Sequence, residues 1–300
     1  MLSRIGKPSV NLRFLMDLED LLLRYEGDYR TNQLVQGLSM PGPAKIRLEG
    51  AAGSLPALIA SAIHRHTSVN HVFILNDAEE AAYFLNDLEG LTRALDLFYF
   101  PDSFKKEGDF SQIHSSHILL RTEALLHFSD EQPRRKVLAT YPQALLEKVI
   151  APDSFQANLI HIQKGDTLKL DSLLEKLSAF GFQRTDFTYG PGEFAMRGGI
   201  LDIYSFGNDH PYRVELSGDE VESIRIFDPE TQLSDRKLSR VTIIPSLESA
   251  IHTGGRVALP GFLPGDTVFW VRDWRFLRDA IRKLETGVQA FFAGGSQPAS

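Results

Sequence analysis

The sequence predicts an α/β protein: a parallel sheet covered by helices, accompanied by a smaller α+β domain. Three observations point there. Over the first half, short apolar runs alternate with helical periods, the pattern of strands joined by crossover helices. From about 184 to 233, short alternating runs are separated by Gly, Pro, Asn and Asp, which reads as antiparallel hairpins beside one helix. The last 60 or so residues return to the first style. The boundaries drawn are 1–147 for the first part of the parallel-sheet domain and 148–233 for the α+β domain, inserted into it or following it. Residues 234–300 are the return to the first domain, ending in a tail.

Element by element, Leu12, Phe14, Leu15, Leu18, Leu21, Leu22 and Leu23 predict a helix within 10–35. "MPGPAKIRLEG" supplies a break and a short strand ending at Gly50, and a helix runs from Pro56 to about His66. "HVFILND" (71–77) is a buried strand, 78–91 a helix and "ALDLFYFPDS" (94–103) a strand ended by Pro101. Residues 104–116 read as a polar loop, 116–128 as a helix and "VLATY" (137–141) as a strand, giving a sheet of at least four strands. "NLIHIQKGDTLKL" (158–170) is a strand and turn entering a helix over 171–182. "TDFTY", "GEFAMRGGILDIYSF", "YRVELSGDEVESIRIFD" and "RVTIIP" are successive strands, with Gly-Asp as a tight turn in the third. "GRVALPG" and "DTVFWVRD" are strands, 273–285 is a helix, and "GGSQPAS" is a disordered tail.

Composition removes several function classes. The chain has 300 residues, 43% hydrophobic and 24% charged, enough for a sizeable core. A net charge of −7 argues against broad, non-specific binding of nucleic acid. The absence of cysteine excludes disulfides, thiolate metal sites and Cys nucleophiles. No apolar run reaches the roughly 18–20 residues a membrane helix needs, and no secretory signal is present, so the expected location is the cytoplasm.

"RLEGAAGSLPALIA" (47–60) has the outline of a phosphate loop, a Gly-rich turn before an apolar helix. Such a loop needs G-x-x-x-x-G-K-[ST]: backbone N–H groups around the phosphates, a Lys on them and a hydroxyl on Mg²⁺. Gly50 holds the first position and Gly53 lies within the turn. Leu55 replaces the second glycine, Pro56 the lysine and Ala57 the magnesium ligand. Pro56 also suits the first turn of a helix, and Ser54 suits its cap. The loop therefore reads as a strand–turn–helix joint without a nucleotide.

His114 and His117, with Asp109 as a conceivable third ligand, are the nearest approach to a metal set, and solvated histidines explain them better. The acidic pairs Glu79/Glu80, Asp219/Glu220 and Asp228/Glu230 fit helix starts and turns. No G-x-S-x-G elbow is present, and no catalytic residue is assigned. In "FAMRGG", Arg197 precedes Gly198-Gly199 within a strand pattern, which marks a bulge or a close backbone approach. In "YRVEL", alternation puts Arg213 and Glu215 on one face and Val214 on the other. With Arg184, these residues suit a partner-binding face, and on pattern alone they suit a solvated sheet face as well.

The stretch "PGEFAMRGGILDIYSFGNDHPYRVELSGDEVESIRIFDPETQLS" (191–234) resembles the UvrB-like module of the bacterial transcription-repair coupling factors (Mfd), of which UvrB has a related version. "FPDS…SSHILLRTEALLHF", "VLATYPQALLEKV", "KGDTLKLDSLLEKLSAFGFQRTD" and "RVTIIPSLES" extend the resemblance, in order, over roughly 40–250. It implies a RecA-like domain with a degenerate phosphate loop, carrying the small α+β UvrA-binding domain as an insertion. It also implies UvrA-facing roles for Arg184 in "GFQRTD", Arg197 before the strand glycines, and Arg213 and Glu215 in "YRVEL". UvrB has a further Arg two residues before the equivalent of Arg197, and here that position is Ala195. UvrB's Tyr-rich DNA-gripping hairpin has no counterpart in 97–115, which hold only Tyr99.

The implied function is a non-catalytic N-terminal module that recruits UvrA to stalled RNA polymerase in transcription-coupled nucleotide excision repair. The module itself needs no cofactor. RNA polymerase, DNA, ATP and Mg²⁺ would be engaged by a translocase motor absent from this chain. The alternative is an ATP- or DNA-binding UvrB-like repair protein.

Overall fold

The computed structural model describes residues 17–40, 42, 45–91, 96–106, 109–113, 115–129, 135–206, 208–245 and 255–294. They fall into two compact units, one made of 1–68 with 84–95 and the other of 69–83 with 96–300.

The first unit is helical. The single helix expected over 10–35 is two, α1 (Leu18–Glu26) and α2 (Tyr29–Leu38). Gly27 ends α1, and Asp28 starts α2 by accepting the Arg30 N–H at 2.8 Å. A cap of this kind satisfies one of the orphan amides of a helix start, so the break has a specific chemical cause. α3 (Leu55–His66) buries Ala57, Ala60, Ala62 and Ile63, and Arg65 pairs with Glu26 at 2.7 Å. Residues 45–49 form no strand. Ile46 and Leu48, which made the stretch look strand-like, remain exposed, so the alternation had no buried face to serve.

The second unit opens with β1 (His71–Ile74), whose four residues are all buried, and the first turns of α4 (Ala78–Leu91), a helix whose residues from 84 onward are counted with the first unit. Asp77 accepts the Glu80 N–H, and the Glu80 carboxylate accepts the Asn76 N–H, a reciprocal cap. β2 (Asp96–Tyr99) follows. Residues expected to be loop form two short antiparallel strands, β3 (Phe104–Lys106) and β4 (Asp109–Ile113). Strands of three and five residues are too short for a period of two to stand out from a polar background. α5 (Ser115–Ser129), β5 (Lys136–Thr140), α6 (Pro142–Leu146), β6 (Val149–Ile150) and α7 (Pro152–Asn158) come next.

The segment around the predicted hairpins begins with β7 (Ile160–Gln163) and α8 (Leu170–Ala179). Six strands then follow: β8 (Gln183–Arg184), β9 (Glu193–Arg197), β10 (Ile200–Tyr204), β11 (Tyr212–Ser217), β12 (Glu220–Phe227) and β13 (Ser234–Leu238). They form one sheet in the order β13-β12-β11-β10-β9-β8, antiparallel except for the parallel β8–β9 pair. "TDFTY" is a turn rather than a strand, because the chain leaves the ladder after Thr185. β14 (Arg240–Ile243) pairs antiparallel with β7. One core joins these parts: Leu173 and Leu177 of α8, Ile160 and Ile162 of β7, Val241 and Ile243 of β14, and Phe194, Leu201, Ile203, Val214 and Ile224 of the sheet.

The chain closes with β15 (Arg256–Val257), α9 (Leu259–Phe262), β16 (Val268–Val271) and α10 (Trp274–Gly294). β15 pairs with β6, and the fully parallel sheet has the order β16-β1-β5-β2. The expected parallel sheet is therefore present with four strands, but its fourth comes from the end of the chain rather than from residues 45–49. α10 runs to Gly294, beyond the expected 285, and the rest of the expected tail lies outside the described residues. Among the described residues, no helix is long and apolar enough to cross a membrane.

Candidate functional site

The polar face of the six-stranded sheet gathers charged residues around a buried carboxylate. The strand register sets which residues meet there. Asp202 on β10 lies opposite Arg213 on β11 and Ala195 on β9, while Arg197 on β9 lies opposite Ile200. All these residues occupy the face away from the core, because Phe194, Leu201 and Val214 between them point inward.

The Asp202 side chain is 1% exposed and accepts from two arginines. Arg213 approaches through Nε at 2.7 Å and Nη2 at 2.9 Å, a two-pronged contact. Arg197 adds Nη2 at 2.8 Å. Such forked, charge-assisted bonds fix orientation as well as distance. The hydrogen bonds to Asp202 hold the Arg213 guanidinium above its usual range. Arg213 is only 14% exposed, lies 4.3 Å over the Phe227 ring and gives Nη1 to the Gln232 carbonyl at 3.1 Å. Arg197 keeps 38% exposure and stacks on Phe187 at 4.3 Å.

The sequence-predicted residues therefore divide. Arg197, Arg213 and Glu215 share the polar face. Glu215 is engaged by Ser223 Oγ at 2.5 Å and Arg225 Nη2 at 3.2 Å. Arg184 stands apart: it is exposed on the edge strand β8, in register with Phe194, so alternation assigns it to the other face of the sheet. Among the described residues its side chain has no hydrogen-bond or ion-pair partner. Asp202, Gln232, Phe187 and Tyr189 were not anticipated. Asp202 did carry a signal: a carboxylate in the apolar run "ILDIY" needs a cation beside it if the strand is central.

Gly198 and Gly199 form the two-residue turn of the β9–β10 hairpin, with Gly198 at φ 59°. A Cβ on Gly199 would stand 2.8 Å from the Leu216 carbonyl oxygen, so the close backbone approach suggested by the sequence is real. Leu216 N–H donates to the Gly199 carbonyl at 2.7 Å, beside a register shift in which Glu215 and Leu216 face Ser223 and Val221 and Glu222 of β12 is skipped.

Gln232, at φ 61°, occupies the left-handed region that non-glycine residues seldom adopt. Its turn is held by Asp228, whose carboxylate accepts the Thr231 N–H at 2.7 Å, the Thr231 hydroxyl at 2.9 Å and the Glu230 N–H at 3.0 Å. These bonds, those from Thr231 foremost, hold the Asp228 carboxyl below the ordinary carboxylate range. A depressed value in the folded protein means the contribution is complete above the ordinary Asp value of about 4 and is lost as pH falls through the depressed one. Following the Thr231 amide resonance through an acid titration is expected to show a midpoint below that ordinary value. Asp228→Asn is expected to abolish the transition.

The phosphate-loop outline takes a different form. Gly50 and Gly53 have φ of 80° and 58°, Leu55 begins α3, and Pro56 and Ala57 lie in its first turn. Ser54 precedes the helix without a side-chain capping bond, contrary to expectation.

Past the ends of β2 and β5, where ligands settle in open parallel sheets, a polar cluster satisfies itself. Buried Arg121 donates to the Pro101 carbonyl at 2.6 Å and pairs with Glu147 at 3.2 Å. Glu147 also takes the Ser103 N–H and hydroxyl, and Tyr141 donates to Asp102. Burial pulls the Arg121 guanidinium down and pushes the Tyr141 phenol well up. His117 spends Nδ1 on the Asp102 carbonyl at 2.7 Å, and His114 lies outside the described residues. Among the described residues, no His, Cys, Asp and Glu group could hold a metal ion.

Residues 160–248 match the UvrB interaction domain family, and they contain the buried carboxylate, its two arginines and the core beneath them. The chain is also similar to transcription-repair-coupling factors. It is 27% identical over 238 residues to that of Bacillus subtilis, covering 79% of this chain and 20% of the relative. With that of Haemophilus influenzae it is 30% identical over 198 residues, 65% of this chain and 17% of the relative. With UvrABC system protein B of Acinetobacter baylyi it is 38% identical over 95 residues, 31% of this chain and 14% of the relative. The chain thus spans about a fifth of the length of the coupling factors it matches. The resemblance read from residues 191–234 is borne out.

Proposed function

We propose that this chain is a non-catalytic docking module of nucleotide excision repair that recruits UvrA, and that it does so through the polar face of the six-stranded sheet. The observation that carries this reading is the pair of arginines anchored on buried Asp202 inside the segment that matches the UvrB interaction domain. Of the two, Arg197 is the better placed to reach a partner, because Arg213 is almost wholly engaged within the fold. Exposed Arg184, on the opposite face by register, would contribute at the rim of the contact, and Glu215 through its pairing with Arg225. The docking unit would run from about 160 to 244, because its core and its pairing strands do.

The rest of the chain would be a RecA-like relic, and the loop at Gly50, Gly53, Leu55, Pro56 and Ala57 would hold no nucleotide. Loss of the Lys and of the hydroxyl supports this. In the intact protein, RNA polymerase, DNA, ATP and Mg²⁺ would be handled by other segments with translocase activity.

The test is UvrA binding by the purified chain. Arg197→Ala is expected to weaken it by about 2 kcal/mol or more, roughly 30-fold in Kd, with the unfolding midpoint little changed. Unaltered affinity would remove Arg197 from the contact.

A further inference from the structure

The turn between β8 and β9 exposes two aromatic rings, Phe187 at 44% and Tyr189 at 62%. Their ring centroids are 6.3 Å apart, and the Arg197 guanidinium lies 4.3 Å above the Phe187 ring. Ile200, opposite Arg197 in the hairpin register, is exposed as well.

The segment is tied down rather than loose. Thr185 N–H donates to the Phe194 carbonyl at 2.8 Å, and its hydroxyl to the Phe187 carbonyl at 2.9 Å. Glu193 accepts the N–H groups of Tyr189 and Gly190 at 2.7 and 3.1 Å, and Gly192 N–H donates to the Tyr204 carbonyl at 2.8 Å. Two aromatic rings are thus held toward water by a hydrogen-bonded backbone. The hydrophobic cost of that arrangement is recovered when something covers them.

We infer that Phe187 and Tyr189, grouped around Arg197, form the centre of an interaction surface for a protein that presents a carboxylate beside apolar side chains. Aromatic rings with an arginine are the composition of energetic centres in protein interfaces. Arg197 commits one Nη2 bond to Asp202, and its stacking on Phe187 leaves its other donors for an incoming carboxylate. A rigid aromatic pair loses little entropy on binding. A nucleic acid would also stack on such rings. Here, however, exposed Asp186 adjoins Phe187 and Glu193 lies beneath the turn, which sets negative charge where phosphates would pass.

The identity of the partner rests on the reading above, so UvrA is the probe. Phe187→Ala and Tyr189→Ala are each expected to weaken UvrA binding at least tenfold, chiefly through faster dissociation, with unchanged urea midpoints. Tyr189→Ala leaves the Arg197–Phe187 stack in place and so reports the aromatic contact alone, while Phe187→Trp should retain binding. If both alanine variants bind within twofold of the parent while Arg197→Ala is weakened, this inference falls and the UvrA reading stands. If the parent chain shows no UvrA binding, the UvrA reading falls and takes this inference with it. If Tyr189→Ala loses affinity for a single-stranded oligonucleotide but not for UvrA, the surface reads bases and the inference is overturned.

Discussion

Asp202→Ala is expected to destabilise the protein by about 3–5 kcal/mol, read as a shift in the urea midpoint of the segment that holds the six-stranded sheet. The carboxylate is buried and is the anion for two guanidinium groups, one of them Arg213 at 14% exposure. Removing it leaves Arg213 in a half-dry site with Nε unmatched and Nη2 left only the Gln232 Oε1 contact at 3.4 Å, and an uncompensated buried charge is among the costliest single defects. Asp202→Asn keeps the shape and one acceptor, so it is expected to lose less. Both variants should also weaken partner binding, because Arg197 loses the contact that sets its direction. Lys in place of Arg213 would not restore the fork, since an ammonium cannot make two parallel bonds to one carboxylate.

Gly192→Ala is expected to cost about 3 kcal/mol. Two penalties combine there. At φ 84° the residue lies in the left-handed region, which costs a Cβ-bearing residue about 1–2 kcal/mol. The added carbon would also stand 2.4 Å from the Phe206 ring, and relieving such overpacking costs about 1–3 kcal/mol. Phe206 packs edge-on against Phe182 at 5.1 Å, so the ring cannot simply swing away. Gly218→Ala is the internal control. Its φ of 65° is similar, but nothing lies within 4 Å of the new carbon, so only the backbone penalty of about 1 kcal/mol is expected. The difference between the two urea midpoints isolates the steric part.

The two architectures were legible because each rests on long-range repetition of one pattern. "VFI" (72–74) and "VLA" (137–139) are unbroken apolar runs, as strands buried on both faces favour, and "YRVELSGDEVESIRIFD" alternates on both sides of a Gly-Asp turn. What escaped was whatever lacked a buried face. β13, "SDRKL", has no apolar alternation and owes its place to the hydrogen bonds of β12. Residues 45–49 made the opposite error, a strand-like pattern with no ladder partner. At the site, the arginines were visible as residue types, but which of them meet depends on register. Arg197 and Arg213 converge because Ala195 and Arg213 both flank Asp202, a relation among three strands that no local spacing encodes. The same register moves Arg184 to the other face, although in sequence it lies closer to Arg197 than Arg213 does.

The pairing of β7 with β14 has a topological consequence. Ile160 and Ile243 are ladder partners, so the chain enters this segment and leaves it on neighbouring strands about 5 Å apart. A unit whose ends lie side by side can be spliced into a host loop without stretching the host or itself.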